Sequence, residues 1–231
     1  MLQLGLLVTA AALAAAPPGG KVPLLGPADL DPALVLPPPP AAGSAQARAE
    51  LAELHAAQAA RSAADEADAR LDGDTRNATI FAVVLGPHFD LAKLPATRAL
   101  LAEVRASEKA AADRGKDEFR RPRPYAVDPS LKSCKRNDDL LSSYPSGHSS
   151  MAFSMGETLA RLVPEKAGLL LARAQRYGQT RIVCGQHFRS DVSAGQMLGM
   201  LIAERLMAKR AFRTDFTAAR AELVAAGVAA R

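Results

Sequence analysis

No segment of this chain sustains the apolar–polar alternation that a half-buried strand requires, while alanine recurs from end to end. Alanine is the strongest helix former, and its side chain is a single methyl. The pattern therefore predicts an all-α bundle whose helices pack closely through small residues. At 231 residues the chain is long enough for one domain with a real core. Aromatic residues are scarce and Trp is absent.

Proline and glycine divide the chain. Residues 17–43 include four consecutive prolines, Pro37 to Pro40, and read as an extended Pro-rich arm. Ser44 is placed to cap a helix running from Ala45 to about Leu71, with Ala47, Leu51 and Leu54 on one face. A short apolar helix is predicted over Asn77 to Leu85, stopped by Gly86-Pro87. Thr97 opens a helix through Leu100, Leu101 and Val104 that Gly115 ends. Pro122, Pro124 and Pro129 make Lys116 to Leu131 a loop. Pro145-Ser146-Gly147-His148 opens a helix to Leu162, and Pro164 lies in the first turn of the next, which carries Leu169, Leu170 and Ala174. Ser190 caps a helix reaching about Leu206. In it Gly195 and Gly199 stand one turn apart, admitting a close neighbour. Thr214 caps the last helix, which ends near Gly227. Residues 44–231 thus read as one helical domain without internal repeats.

Leu4 to Ala16 is largely apolar, shorter than the ~20 residues that span a bilayer, and ends in small residues. It reads as an export signal over residues 1–16, although no Lys or Arg precedes it. No other segment is long and apolar enough to cross a membrane, so a periplasmic or secreted protein without stable membrane insertion is expected. Cys134 and Cys184 are candidates for a disulfide in an oxidising compartment; a pair of buried thiols is the alternative. Neither belongs to a cluster of metal-ligand spacing, and no metal site is expected. The net charge of +5 is either a solvated Arg-rich surface or a field that draws anions. Basic runs interleaved with stacking aromatics are missing, so nucleic acid is not an expected partner. Oligomeric state stays open, a homo-oligomer included.

Three motifs in the second half carry chemistry. Lys116 is followed after six residues by Arg123-Pro124; Pro145-Ser146-Gly147-His148 comes next; Arg181 then precedes His187 by five intervening residues, and His187 precedes Asp191 by three. Phosphoryl transfer needs cations around the equatorial oxygens, an in-line nucleophile and an acid for the leaving oxygen. Lys116, Arg123 and Arg181 suit the first need, Arg through its planar fork of donors. Taken alone, Arg120, Arg121 and Arg123 read as a solvated basic patch. Ser146 can cap a helix and Gly147 lets an anion approach free backbone N–H groups. His187 and Asp191 fall near one helix start, where the carboxylate can fix the ring's tautomer. His55 and His88 read as structural or solvated. Tyr144 and Phe188 are candidates for a pocket wall or for the core.

These motifs resemble those of the phosphatidic-acid-phosphatase type 2 superfamily, most closely the bacterial class A non-specific acid phosphatases. Lys116 to Tyr125 is similar to the first signature, Ser143 to His148 to the second, and Thr180 to Asp191 to the third. Pro37 to Ser44 also resembles a segment near the start of those enzymes, so the likeness runs from about Leu36 to Leu206. The resemblance implies an all-α bundle and an enzyme without metal or cofactor that hydrolyses small phosphomonoesters of broad range. It implies phosphate binding by Lys116, Arg123, Ser146, Gly147 and Arg181. His187 would be the nucleophile, His148 the general acid and base, and Asp191 the group that orients His187. Thr180 stands where the family has serine, and a hydroxyl is kept. A lipid phosphatase and a vanadate-dependent haloperoxidase are the alternatives within the superfamily. A non-catalytic phosphate-binding protein would not need both His148 and His187.

Overall fold

The computed structural model describes residues 21–231, and the expected export signal at 1–16 lies outside the described residues. All regular structure among the described residues is helical. The helices are α1 (Pro32–Val35), α2 (Ala45–Ala60), α3 (Ala63–Asp74), α4 (Ala82–Leu85), α5 (Pro95–Phe119), α6 (Pro124–Val127), α7 (Gly147–Leu162), α8 (Ala167–Val183), α9 (Arg189–Ala208) and α10 (Arg210–Ala225). A 3₁₀ turn, Ala78–Phe81, leads into α4, and another, Pro164–Lys166, leads into α8.

The centre of the bundle is α7, buried on nearly every side and flanked by α5, α8 and α9. Met151, Phe153, Met155 and Leu159 of α7 join Leu198, Ile202 and Leu206 of α9 and Leu170, Ala174 and Tyr177 of α8 in one core. The α7–α9 crossing depends on two glycines. A Cβ at Gly199 would stand 2.5 Å from the Ser150 carbonyl and 2.8 Å from Phe153 Cβ, and one at Gly195 would collide with the Ser146 carbonyl. The pair Gly195/Gly199 therefore does what its one-turn spacing suggests.

The Pro-rich segment is extended apart from the single turn of α1, and it adds to the core. Leu25, Leu30 and Leu36 are buried in the main cluster. Leu24 N–H donates to Glu103 and Ser107 of α5, Arg114 Nη2 donates to the Leu30 carbonyl, and the Tyr144 hydroxyl donates to the Pro37 carbonyl.

Several boundaries differ from expectation. The helix anticipated over Ala45 to Leu71 is two helices, because Ser62 and Asp65 cap each other reciprocally, with Asp65 N–H to Ser62 Oγ at 3.1 Å and Ser62 N–H to Asp65 Oδ2 at 3.0 Å. Gly115 does not end α5. It lies inside the helix where a Cβ would come within 2.8 Å of Pro145 Cδ, so its lack of a side chain serves a close approach. The helix runs on to Phe119 and stops at Arg120, which adopts φ 43°. Lys116 is consequently helical and not on a loop. Neither Ser190 nor Thr214 is a cap. α9 starts at Arg189, with Asp191 accepting the Phe188 N–H, and Thr214 sits within α10, its hydroxyl turned back to the Arg210 carbonyl.

The glycine crossing yields a direct test. Replacing Gly199 by Ala forces a methyl against the α7 backbone, so we expect a loss of roughly 1–3 kcal/mol in urea unfolding. An unchanged midpoint would contradict the crossing as described.

Candidate active site

The site lies where the N-terminus of α7, the last turns of α5, and the start of α9 converge. A cavity of about 330 Å³ opens there. Lys116, Arg123, Gly147, His148 and His187 all line it. Residues far apart in sequence, from all three motifs, thus face one space.

Each is positioned by local structure. Ser146 caps α7: its hydroxyl accepts the Ser149 N–H at 3.4 Å and its carbonyl accepts the Ser150 N–H at 3.0 Å. The preceding N–H groups, those of Gly147 and His148, take no hydrogen bond among the described residues, and both residues line the cavity. A helix start with free N–H groups is an anion-binding arrangement. Lys116 Nζ would lie 3.2 Å from a Cβ at Gly147, so glycine lets the ammonium close over the helix end. Burial and the Arg123 charge depress the Lys116 pKa.

His187 is buried, 1% exposed. Its Nδ1 faces Asp191 Oδ2 at 3.4 Å, and its Nε2 lies 2.9 Å from Arg123 Nη1. A guanidinium can only donate, so the lone pair of neutral His187 sits on Nε2 and its proton on Nδ1. Burial, then Arg123, Lys116 and Arg181, push its pKa well below the usual imidazole range, and the Ser143 carbonyl opposes them weakly. His148 Nε2 lies 3.0 Å from the Gly73 carbonyl at the end of α3. A carbonyl only accepts, so Nε2 keeps its hydrogen and the exchangeable proton belongs to Nδ1. Burial, then Arg181 and Arg76, hold His148 well below its ordinary value too, against the Gly73 carbonyl.

Two expected ligands lie elsewhere. Ser146 is fully buried beneath the cavity and acts as the helix cap. Arg181 does not line the main cavity: its Nη2 donates to the Ala69 carbonyl and to Thr180 Oγ1, and it lines a smaller adjoining pocket that shares Arg76, Asn137 and His148 with the main one. The Nε atoms of Arg123 and Arg181 are buried without a partner among the described residues. Tyr144 and Phe188 belong to the core. His55 pairs with Asp128 at 2.9 Å, and His88 is exposed in a loop.

Sequence reasoning missed the support behind His187. Arg121, read as surface, is 7% exposed and stacks 4.2 Å over the Phe188 ring. It donates to Asp191 Oδ1 at 2.6 Å and to Glu50 Oε2 at 2.9 Å. Glu50 in turn accepts the Ser190 N–H at 2.7 Å, and Ser143 Oγ donates to Asp191 Oδ2 at 2.6 Å. Burial raises the Asp191 pKa, while Arg121, Ser143 and the Phe188 N–H oppose that rise. Glu108, with no exposed surface, also lines the cavity; burial raises its pKa against the pull of Arg105, Ser150 and Lys116. Cys134 and Cys184 are bonded, with Cα atoms 4.9 Å apart, and join the loop before the second motif to the end of α8.

Comparison with known proteins places the chain among relatives. Residues 99–215 match the family model described as the PAP2 superfamily. An acid phosphatase of Zymomonas mobilis is 33% identical over 200 residues, spanning 84% of this chain and 75% of that protein. A non-specific acid phosphatase of Providencia stuartii is 31% identical over 212 residues, 84% of each chain. A non-specific acid phosphatase of Salmonella typhi is 30% identical over 168 residues, 71% of this chain and 66% of that protein.

The buried ion network yields a stability test. Arg121→Met strands the Glu50 and Asp191 carboxylates, and we expect a loss of roughly 3–5 kcal/mol at pH 7 in urea unfolding. Without Arg121 the folded-state pKa of Asp191, already raised by burial, rises further, so the folded variant binds more protons than its unfolded chain. The deficit then shrinks as pH falls from neutral toward ~4, the unfolded carboxylate value, below which both states hold the proton. A pH-independent deficit would contradict the pairing.

Proposed function

The chain belongs to the PAP2 superfamily, and on that premise we propose that it is an exported acid phosphatase that hydrolyses phosphate monoesters of broad range through a phosphohistidine at His187. The observation that carries the reading is the meeting of Lys116, Arg123, Gly147, His148 and His187 on one cavity. Export rests on the apolar stretch at Leu4 to Ala16 and on the Cys134–Cys184 bridge, which persists in an oxidising compartment. Among the described residues no helix is long and apolar enough to cross a membrane.

In this reading Lys116, Arg123 and the free N–H groups of Gly147 and His148 hold the phosphoryl oxygens. The unpartnered Nε atoms of Arg123 and Arg181 are donors that an anion would satisfy. Arg181 reaches the phosphate after exchanging its bond to the Ala69 carbonyl. Ser146 contributes by capping α7. His187 Nε2 forms a bond to phosphorus while the ester P–O bond breaks, and protonated His148 gives its Nδ1 proton to the departing oxygen. Water then attacks the phosphoramidate, His148 Nδ1 takes a water proton, the N–P bond breaks, and inorganic phosphate leaves. Asp191 holds the His187 Nδ1 proton and offsets the charge that the ring acquires.

The low pKa values suit that division. A depressed His187 is a free nucleophile even in acid. His148 must be protonated to act, and in the free protein it loses its proton well below the ordinary imidazole value. A bound phosphoryl dianion raises it again. We therefore expect kcat/KM to fall as pH rises from the acid side, with the corresponding fall in kcat at higher pH, because kcat reports the complex. Activity should survive a chelator, and His148→Asn should lower kcat by roughly 10²–10⁴. A profile flat up to pH ~9, or loss of turnover with chelator, contradicts the reading. His187→Ala separates an enzyme from a binding protein: turnover vanishes while inorganic phosphate still binds.

A further inference from the structure

The wall of the cavity beyond the phosphate cradle is uneven in charge. On α5 its cations are matched. Arg105 pairs with Glu108 and Lys109 with Asp113, and Asp117 adds an unpaired exposed carboxylate. Arg76 differs. It lies just beyond α3, is exposed, and takes part in no ion pair or hydrogen bond among the described residues, although Asp74, Asp72 and Glu66 nearby all have cationic partners. It lines both the main cavity and the small pocket beside it. Asn137, whose side-chain amide is likewise without a partner there, lines both as well.

The position of Arg76 relative to His148 gives it a role. His148 is tied to the carbonyl of Gly73, three residues before Arg76. Arg76 is close enough that its charge helps depress His148. The leaving oxygen must lie at His148 Nδ1 to receive its proton, so the leaving group must exit past His148. Arg76 and Asn137 line the same cavity as His148, together with the exposed carboxylate of Asp139, so Arg76 borders the space that a leaving group enters.

We propose that Arg76, with the Asn137 amide, is a specificity-determining subsite that binds a second anionic group on the leaving portion of the substrate, so that the preferred phosphomonoesters carry a further phosphate or carboxylate. The proposal rests on the phosphatase reading for the direction in which the leaving group lies. An unpaired guanidinium offers a bidentate, charge-assisted contact to such a group. A neutral leaving group, by contrast, leaves it solvated.

Calorimetry with two non-hydrolysable probes tests the subsite without requiring turnover. Wild-type protein should bind propane-1,3-bisphosphonate roughly tenfold more tightly than methylphosphonate, against twofold on statistics alone. The advantage should shrink in ~0.5 M salt, as Debye screening demands. In Arg76→Ala the ratio should fall to about the statistical value, and Arg76→Lys should keep part of it. Arg76 is exposed, so these variants are expected to fold. A wild-type ratio near two, or a tenfold ratio that survives in Arg76→Ala, overturns the subsite. Turnover by the wild type of 4-carboxyphenyl phosphate, whose leaving portion carries the second anion, is read in parallel. Its absence alongside a normal probe ratio would sink the phosphatase reading while leaving the anion subsite standing.

Discussion

One buried carboxylate organises the site. Asp191 has no exposed surface, and a charge so placed must be met by donors or it destabilises the fold by several kcal/mol. Those donors come from separate segments: Arg121 from the loop after α5, Ser143 from the approach to α7, and the Phe188 N–H at the start of α9. Its backbone carbonyl takes the Ser146 N–H at 3.0 Å, fixing the cap of α7. Glu50 holds Arg121 from behind and takes the Ser190 N–H, which draws α2 into the same knot. Satisfying Asp191 therefore assembles the elements that bear all three motifs.

That assembly sets the electrostatics above it. Two imidazoles are buried among cations, and burial first and the neighbouring charges second hold both well below the usual imidazole range in the free protein. Their hydrogen-bond partners make them different. His187 presents a lone pair toward Arg123, whereas His148 is anchored through Nε2, which leaves Nδ1 as the nitrogen that exchanges its proton. On the proposed reading, a dianion entering the cavity restores the His148 proton without requiring His187 to change. The asymmetry that acid–base work needs thus comes from hydrogen-bond geometry, and the ligand supplies the charge.

Much of the architecture was legible in local sequence because its causes are local. Ser44 and Ser146 cap helices as their positions suggest, Asn77 opens the 3₁₀ turn, and Gly86 with φ 91° ends α4. The all-α fold and the family both follow from pattern and motif. What escaped depends on partners far along the chain. Gly115 looks like a helix stop until Pro145 is seen against it. Arg121 looks like surface until Glu50 and Asp191, about seventy residues away on either side, are found around it. Arg181 is drawn off the main cavity by the Ala69 carbonyl, 112 residues earlier. The break at Ser62 is a different kind of miss, since its Ser-x-x-Asp capping box was present to be read.

The central claim is that His187 carries the phosphoryl group covalently. A phosphoramidate survives alkali and hydrolyses in acid, so quenching the turning-over enzyme in base and mapping the modified peptide by mass spectrometry tests it directly. The account predicts an added phosphoryl group on His187, absent from His187→Ala and accumulating in His148→Asn. A phosphoryl group on any other residue, or none at all in the base-quenched, turning-over enzyme, would contradict it.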